Sequence, residues 1–490
     1  MTTLLQTPTA WPRVLLERAT DGTTGSTRRA SATETTLPDG AFGALVDAIR
    51  DLGQGGTLEQ VTASGLRGRG GAGFPTGEKW RACAAQPSGR RFVVANGYGA
   101  DPAVFTDGAL MAADPWAVVE GVAIAAFAVG ASEAVIAVRA DAGAAIAGLE
   151  SAILAGEGAG FLGPDILGTG WQLSIVVRAV QGAYMLGEET VLLKALEGKR
   201  GQPEQRPPYP TERGLFGQPT VVNNVQTLAA VPWIVRHGAR AYAAIGSSAS
   251  PGTMLVQVRG PLGDGIAEVP IGTPIREIVA LATSGDGDGH PRPKRDGTRG
   301  AASSRSTGSS RTTASSSRQG ATPASATKAV LVGGPAGGLL PPELLDTPFE
   351  FEALRAVGAH VGSGSIVVAD QRACTVDLAR LLTTYCSDEA CGKSIPCRIG
   401  LRRLAEIGDR ITTGRPKPTD SQLLVDLAHD VAESGLCEHE RLATLPLLSG
   451  MRYFGPELDE HILRSSCPAG VCRPIAVAGK PAPQPSVPSA

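Results

Sequence analysis

Six glycines fall within the thirteen residues Gly65-Leu66-Arg67-Gly68-Arg69-Gly70-Gly71-Ala72-Gly73-Phe74-Pro75-Thr76-Gly77. A stretch with so little side-chain bulk reads as a loop whose bare N–H groups can approach a ligand closely. Arg67, Arg69 and Lys79 add positive charge, which suits a phosphorylated cofactor. Gly68, Gly70 and Gly73 meet the G-x-G-x-x-G spacing of a dinucleotide loop, but Pro75 and Gly77 stand where the helix after such a loop should begin. An ordinary Rossmann assignment is therefore weak. A ligand-free surface loop accounts for the glycines but not for three cations around them.

With 490 residues and 42% hydrophobic content, the chain is long and apolar enough for two to four domains with their own cores. A net charge of −2 gives no reason to expect nucleic acid or an anionic membrane as partner. The longest apolar run, residues 121–132, is too short to span a bilayer, so no direct membrane insertion is expected. No secretory signal is visible, and the expected location is cytoplasmic. Seven of the eight cysteines, Cys374, Cys386, Cys391, Cys397, Cys437, Cys467 and Cys472, lie in the last quarter, with Cys83 apart from them. In a reducing compartment that clustering suggests metal ligation rather than disulfides.

Residues 1–38 are rich in Thr, Ser and Arg and read as a loosely ordered extension. Helical spacing over 41–52, short buried strands at 91–95 and 134–138, and a helix over 115–128 predict an α/β domain covering 39–245. Residues 187–196 predict a helix entered through Glu188 and Glu189, whose charges suit a helix N-terminus. Strands at 253–258 and 267–270, a helix over 274–282 and a strand at 329–332 predict a compact second domain over 250–283 and 328–345. It is interrupted by a low-complexity insertion, 284–327, read as disordered. Helices at 376–384, 401–411, 422–434 and 457–463 predict a helical domain over 365–475, before a disordered tail, 476–490.

The glycine loop followed by Glu78-Lys79-Trp80 resembles the flavoprotein subunit of respiratory NADH:quinone oxidoreductase and its relatives in NAD-linked hydrogenases and formate dehydrogenases. The resemblance continues through Gly187-Glu188-Glu189-Thr190, Leu196-Glu197-Gly198-Lys199-Arg200-Gly201-Gln202-Pro203, Pro219-Thr220-Val221-Val222-Asn223-Asn224-Val225-Gln226-Thr227, Val332-Gly333-Gly334-Pro335 and the cysteine region. It implies an α/β fold with an N-terminal FMN-binding domain, a β-grasp (SLBB-type) middle domain and a C-terminal helical iron–sulfur-binding bundle. By that resemblance Gly68, Arg69, Gly70, Gly71, Gly73, Phe74 and Lys79 hold the FMN phosphate and backbone edge. Asn96, Asn223, Asn224 and Thr227 bond the ribityl chain and ring, and Asp101, Tyr184, Glu188, Glu189 and Tyr209 belong to the flavin and NAD(H) or NADP(H) pocket. Amide side chains donate and accept, matching the mixed polar edge of a flavin, and Lys79 offers a point charge to a phosphate.

The chain departs from this family where the nucleotide should sit. Relatives have an acidic run Asn-Ala-Asp-Glu-Gly-Glu-Pro; here it is Asn96-Gly97-Tyr98-Gly99-Ala100-Asp101-Pro102, and Ala82 stands about where relatives place an aromatic. Loss of these carboxylates either changes selectivity toward NADPH or abolishes dinucleotide binding.

Relatives bind a [4Fe-4S] cluster through Cys-Gly-x-Cys-x-Pro-Cys-Arg and a remote cysteine. This chain has Cys391-Gly392-Lys393-Ser394-Ile395-Pro396-Cys397-Arg398 with Cys437 at the remote position. Ser394 replaces a thiolate with a harder oxygen donor, leaving open a cluster with one oxygen ligand, a [3Fe-4S] cluster on three cysteines, or no cluster. His461, Cys467 and Cys472 form a second constellation of mixed N and S ligands that suits zinc. By resemblance Cys374 completes it.

The resemblance implies an oxidoreductase of the NAD(P)H dehydrogenase type, passing electrons from NAD(P)H through FMN to an iron–sulfur cluster. It further implies a thioredoxin-fold iron–sulfur partner within a larger redox complex. The alternative is a scaffold, or a relay fed by another protein, that has lost NADH oxidation.

Overall fold

The computed structural model describes residues 8, 11–17, 37–261, 263–282 and 327–472. The expected insertion, apart from its last residue, and the expected tail lie outside the described residues.

Four parallel strands, β1 (Phe92–Gly97), β2 (Glu133–Arg139), β3 (Ser174–Val180) and β4 (Thr220–Asn224), lie in the order β3-β2-β1-β4. A parallel sheet is covered on both faces and needs apolar strand centres; Phe92-Val93-Val94-Ala95 and Thr220-Val221-Val222 are buried throughout. The Pro115–Val129 helix joins β1 to β2. Asp114 caps it by accepting from the Ala117 N–H, and all but its first two residues are buried. The apolar run over 121–132 is thus core, and among the described residues no single helix is long and apolar enough to cross a membrane. Gly121 lets this helix touch the Val225–Ala229 helix, since a Cβ there would stand 2.0 Å from the Leu228 carbonyl oxygen.

From β1 the chain steps outward to β2 and β3, then returns to place β4 on the other side of β1. The strand order therefore reverses between β1 and β4, and in open α/β sheets ligands bind outside the carboxyl ends of strands at such a reversal.

A second sheet has the order β6-β5-β9-β7-β8: β5 (Thr253–Gly260), β6 (Gly263–Pro270), β7 (Thr327–Val332), β8 (Gly338–Leu340) and β9 (Ser365–Asp370). The β5–β9 pair is parallel and the others antiparallel. The expected boundary at 365 needs correcting, because β9 lies in the middle of this sheet, paired to both β5 and β7. Its apolar Ser-Ile-Val-Val-Ala-Asp run adjoins the first predicted bundle helix, which hid its partnership.

The C-terminal part is helical: Thr375–Asp388, Arg402–Thr412, Asp420–Glu433 and Leu445–Arg464 pack around Leu401, Leu404, Ile407, Leu424 and Leu447. The helix expected at 457–463 is the end of the last one, which breaks its helical geometry at Phe454.

The N-terminal extension also needs correcting over its described part. Val14, Leu15 and Leu16 are buried, and their three N–H groups donate to the Glu268 carboxylate at 2.7, 2.8 and 3.0 Å. The short apolar run Val14-Leu15-Leu16 is outweighed in composition by the Thr, Ser and Arg around it.

Candidate functional site

The glycine run folds as a closed loop in front of the Thr76–Ala84 helix. Gly68 N–H donates to the Phe74 carbonyl and Thr76 N–H to the Leu66 carbonyl, both at 2.9 Å. Arg69 N–H donates to Thr227 Oγ1 at 2.8 Å, fixing the loop against the helix that follows β4. The loop passes close over the β4 terminus, where a Cβ on Gly70 would stand 3.5 Å from Asn224 Cβ. Gly73 has φ +64° and sits against the Phe351 ring, 2.7 Å from where its Cβ would be. Gly71 has φ +108° and faces Gly362. Bulk is excluded from this loop on both sides.

Asn224 ends β4 and lies in register beside Asn96, the last residue but one of β1, directly at the reversal of strand order. Asn224 donates from Nδ2 to Asp107 at 2.7 Å and accepts the Gln226 N–H at 2.8 Å; Asn96 donates to the Gly187 carbonyl at 3.2 Å. Asn223, expected beside them, points the other way. Successive side chains alternate across a strand, and its Oδ1 accepts the buried Trp80 Nε1–H at 2.8 Å.

The three expected cations separate. Arg69 is 1% exposed, and its guanidinium donates to the Arg67, Thr253 and Pro251 carbonyls and to the Tyr242 hydroxyl. Arg67 pairs with Glu352 at 2.8 Å and lies over the Phe351 ring. Both arginine side chains clamp the loop to the second sheet and its connections, so only Lys79 of the three faces the crevice. Its Nζ reaches Glu189 at 2.9 Å and the Val222 carbonyl at 3.0 Å.

Glu189 also pairs with Arg206 at 3.0 Å. Burial pushes its carboxyl upward, but Lys79 and Arg206 outweigh that and hold it below the usual range. Glu188 caps the Glu189–Leu196 helix, accepting from Thr190 N and Val191 N at 2.9 Å, and its other oxygen pairs with Arg206. Asp101 is 4% exposed and bonds Ala103 N–H and the Ser363 hydroxyl, tying the β1 loop to the second sheet's loops; burial raises its carboxyl. Phe74 and Tyr209 are exposed. Tyr98, in the degenerate acidic run, is buried and its hydroxyl bonds the Gly182 carbonyl.

Sequence reasoning missed the polar layer beneath the crevice. Asp107 is buried and accepts from both Asn224 and Gln226, while Gln226 accepts Leu255 N–H of β5 at 2.9 Å. Gln226 lies inside the Asn-Asn-Val-Gln-Thr segment, which is the available signal; Asp107 carries none. A bay of bare backbone beside two amides and an ammonium fits a phosphorylated flavin.

Next to this crevice stand the cysteines. Tyr184 N–H donates to Glu389 at 2.6 Å, and its ring lies edge-on to Tyr385 and His439, both at 5.7 Å. His439 follows Cys437 by two residues. Cys397 is buried and Cys391 and Cys437 are half-buried; burial, then nearby Glu440, Cys437 and Cys391, push the Cys397 thiol up to about 12. Burial likewise takes Cys437 to about 11, with Glu188 and Cys391 adding to it. Three cysteine sulfurs in the same neighbourhood are a donor set that fits an iron–sulfur cluster, which is held by thiolates. Ser394 lies beside them, donating to Glu440 Oε1 at 2.7 Å. Cys386 is turned away into the core, its thiol against the Pro335 carbonyl.

The second constellation comes together in full. The ligand atoms of Cys374, His461, Cys467 and Cys472 all lie within 4.8 Å of one another. Cys374 Sγ is 3.5 Å from His461 Nε2 and 3.7 Å from Cys472 Sγ. His461 Nδ1 lies 2.7 Å from the Glu457 carbonyl, so Nδ1 carries the proton and Nε2 is left as a donor atom.

Residues 61–233 match the Nuo51 FMN-binding domain, and residues 377–461 match the NADH-ubiquinone oxidoreductase-F iron-sulfur binding region. The chain is 37% identical to the NADP-reducing hydrogenase subunit HndC of Solidesulfovibrio fructosivorans, over 85% of this chain and 78% of that one. It is 34% identical to the NADH-quinone oxidoreductase F 2 subunit of Rhizobium meliloti, over 88% and 94%. Among solved structures it resembles the NAD+-reducing [NiFe]-hydrogenase in the H2-reduced state, with a TM-score of 0.71 and 30% identity. That match covers 87% of this chain and 66% of the hydrogenase chain.

Proposed function

The chain belongs to the family of NADH-quinone oxidoreductase F subunits, and from that premise we propose which of its residues carry the family's work. It is an electron-transfer flavoprotein subunit of the NAD(P)H dehydrogenase type, passing electrons from NAD(P)H through FMN to an iron–sulfur cluster, and its relatives are subunits of larger redox complexes. The scaffold alternative is not favoured.

The observation that carries the residue assignment is the glycine bay close over Asn224, beside Asn96 at the strand reversal, with Cys391 and Cys437 packed against the neighbouring apolar cluster. FMN, when bound, supplies the change from two-electron to one-electron transfer. In this reading the backbone of 68–73 receives the phosphate and Lys79 neutralises it, exchanging its contact with Glu189 for the anion. Asn96 and Asn224 face the polar edge of the ring system, and Thr227 holds the loop rather than the ligand. Glu188, Glu189 and Arg206 form the wall toward the nicotinamide nucleotide, with exposed Tyr209 and Phe74 offering aromatic faces. Cys391, Cys397 and Cys437 hold the cluster.

Cys374, His461, Cys467 and Cys472 hold a structural zinc, a closed set of three sulfurs and one nitrogen that pins residues 467–472 to the bundle. The second sheet is a β-grasp domain of the SLBB type; its hairpin β5–β6, parallel centre β5–β9 and returning β7–β8 hairpin support that. A thioredoxin-fold iron–sulfur subunit is its electron-accepting neighbour, and the chain works in the cytoplasm.

Anaerobic purification followed by absorbance spectra before and after NADH or NADPH, with iron and zinc measured on the same sample, tests the assignment. A flavin band bleached by either nucleotide, with iron present, is the expected result. A colourless protein would refute it.

A further inference from the structure

Glu440 lies 1% exposed beside Cys397, and no cation pairs with it among the described residues. Its Oε1 accepts from the Ser394 hydroxyl at 2.7 Å and from Cys397 N–H at 3.1 Å, and its Oε2 accepts from Leu436 N–H at 2.7 Å. Glu440 itself lies on the short Glu438–Leu442 helix that Cys437 precedes. One carboxylate, three residues after Cys437 in the chain, therefore bonds both position 394 and position 397.

A carboxylate offers about four lone-pair sites. Three are occupied here, and one, on Oε2, is left. The Ser394 hydroxyl donates its only hydrogen to Glu440, and ligating iron through its oxygen as an alkoxide would require losing that proton altogether. A carboxylate oxygen, unlike a serine hydroxyl, ligates a cation without becoming an alkoxide. Burying an unpaired carboxylate beside three thiol ligands is costly unless a cation is also present, and an iron corner supplies one.

We propose that Glu440, not Ser394, is the fourth ligand of the cluster, with the Ser394 hydroxyl as the hydrogen-bond donor that positions it. The inference rests on the reading of Cys391, Cys397 and Cys437 as cluster ligands. No bond in the protein breaks on ligation: the free lone pair on the carboxylate forms the Fe–O bond, and no electron is transferred.

The test is anaerobic reconstitution of the full chain with iron and sulfide, reading iron and labile sulfide per chain and the EPR spectrum of the oxidised protein. Wild type and Ser394→Ala are expected to hold about four irons, and Glu440→Gln to lose one and show a three-iron signal. Loss of the fourth iron in Ser394→Ala with retention in Glu440→Gln would make the serine the ligand and overturn the proposal. So would three irons in wild type. Should Glu440→Gln fail to fold, the Mössbauer spectrum of Ser394→Ala decides: one iron of four distinct from the thiolate-ligated three is expected, and its absence overturns the proposal. Ser394→Cys separates the two levels of inference. If only that variant takes up iron, the Glu440 assignment falls and the three-cysteine site stands; if neither it nor wild type does, both fall.

Discussion

Gly73 carries two constraints at once, a left-handed backbone and the Phe351 ring where its Cβ would be. Gly68 carries neither, since its nearest neighbour would be 3.6 Å away. Gly73→Ala is expected to destabilise the protein by about 2–4 kcal/mol, combining left-handed strain with overpacking, and to lower flavin content on purification. Gly68→Ala should leave stability within about 1 kcal/mol; equal thermal midpoints for the two variants would contradict this. At Lys79, replacement by Ala removes the ammonium from Glu189, leaving only Arg206 to hold that carboxyl down. Flavin retention should then fall roughly tenfold, a loss of about 1.4 kcal/mol, measured by fluorescence titration of FMN into the apoprotein. The loop and the amides are legible in the sequence because residue type and spacing express chemistry directly. The two arginines are not, because charge in a sequence does not say what a guanidinium faces: Arg69 points into carbonyls more than 180 residues away in the chain.

The same limit appears among the elements. β1, β2 and the Pro115–Val129 helix are readable because long apolar runs allow few alternatives, whereas β9 gives no sign of pairing with β5, a contact across more than 100 residues. The Val14–Leu16 segment escapes for a related reason. What anchors it is not its own pattern but Glu268, whose carboxylate also takes the Thr253 hydroxyl at 2.5 Å. Glu268→Ala leaves three N–H groups without their acceptor and should cost about 3 kcal/mol. It should also release the segment, so that trypsin cuts after Arg13 in the variant and not in the native protein. His360, on the loop before β9, gives a pH signature. Burial lowers its pKa to about 4, against a backbone contact from Nε2 to the Ala336 carbonyl at 3.1 Å that favours the charged ring. The unfolded chain binds that proton from about pH 6.5 downward, and the folded one only near 4. Wild-type stability should therefore fall relative to His360→Gln as pH drops from about 6.5 to 4, by about 3 kcal/mol, with no difference in trend above that window. Parallel denaturation midpoints across the window would refute it.

Over the whole molecule, Cys391 and Cys437 pack against the apolar cluster of Met185, Leu186 and Val191, while Cys397 sits in the bundle core with Leu401 and Leu404. The second constellation lies apart from that cluster and joins the start of the Thr375–Asp388 helix, the end of the Leu445–Arg464 helix and residues 467–472. Lys328 of β7 pairs with Glu457 at 2.8 Å, and the Glu457 carbonyl faces His461, so the second sheet reaches the same corner. In the proposed zinc reading, a metal there would tie the bundle to the sheet at the Lys328–Glu457 corner. Its removal should therefore uncouple stability from redox chemistry. Cys472→Ser removes one thiolate from a closed four-ligand set, and the ligating free energy of such a site is folding free energy. The variant should lose zinc and melt about 5–10 °C lower, while its flavin band and bleaching by nicotinamide nucleotide stay as in wild type. Loss of the flavin together with the metal would mean that this corner transmits strain to the crevice. Unchanged melting with zinc absent would mean that the four ligands cluster without a structural ion.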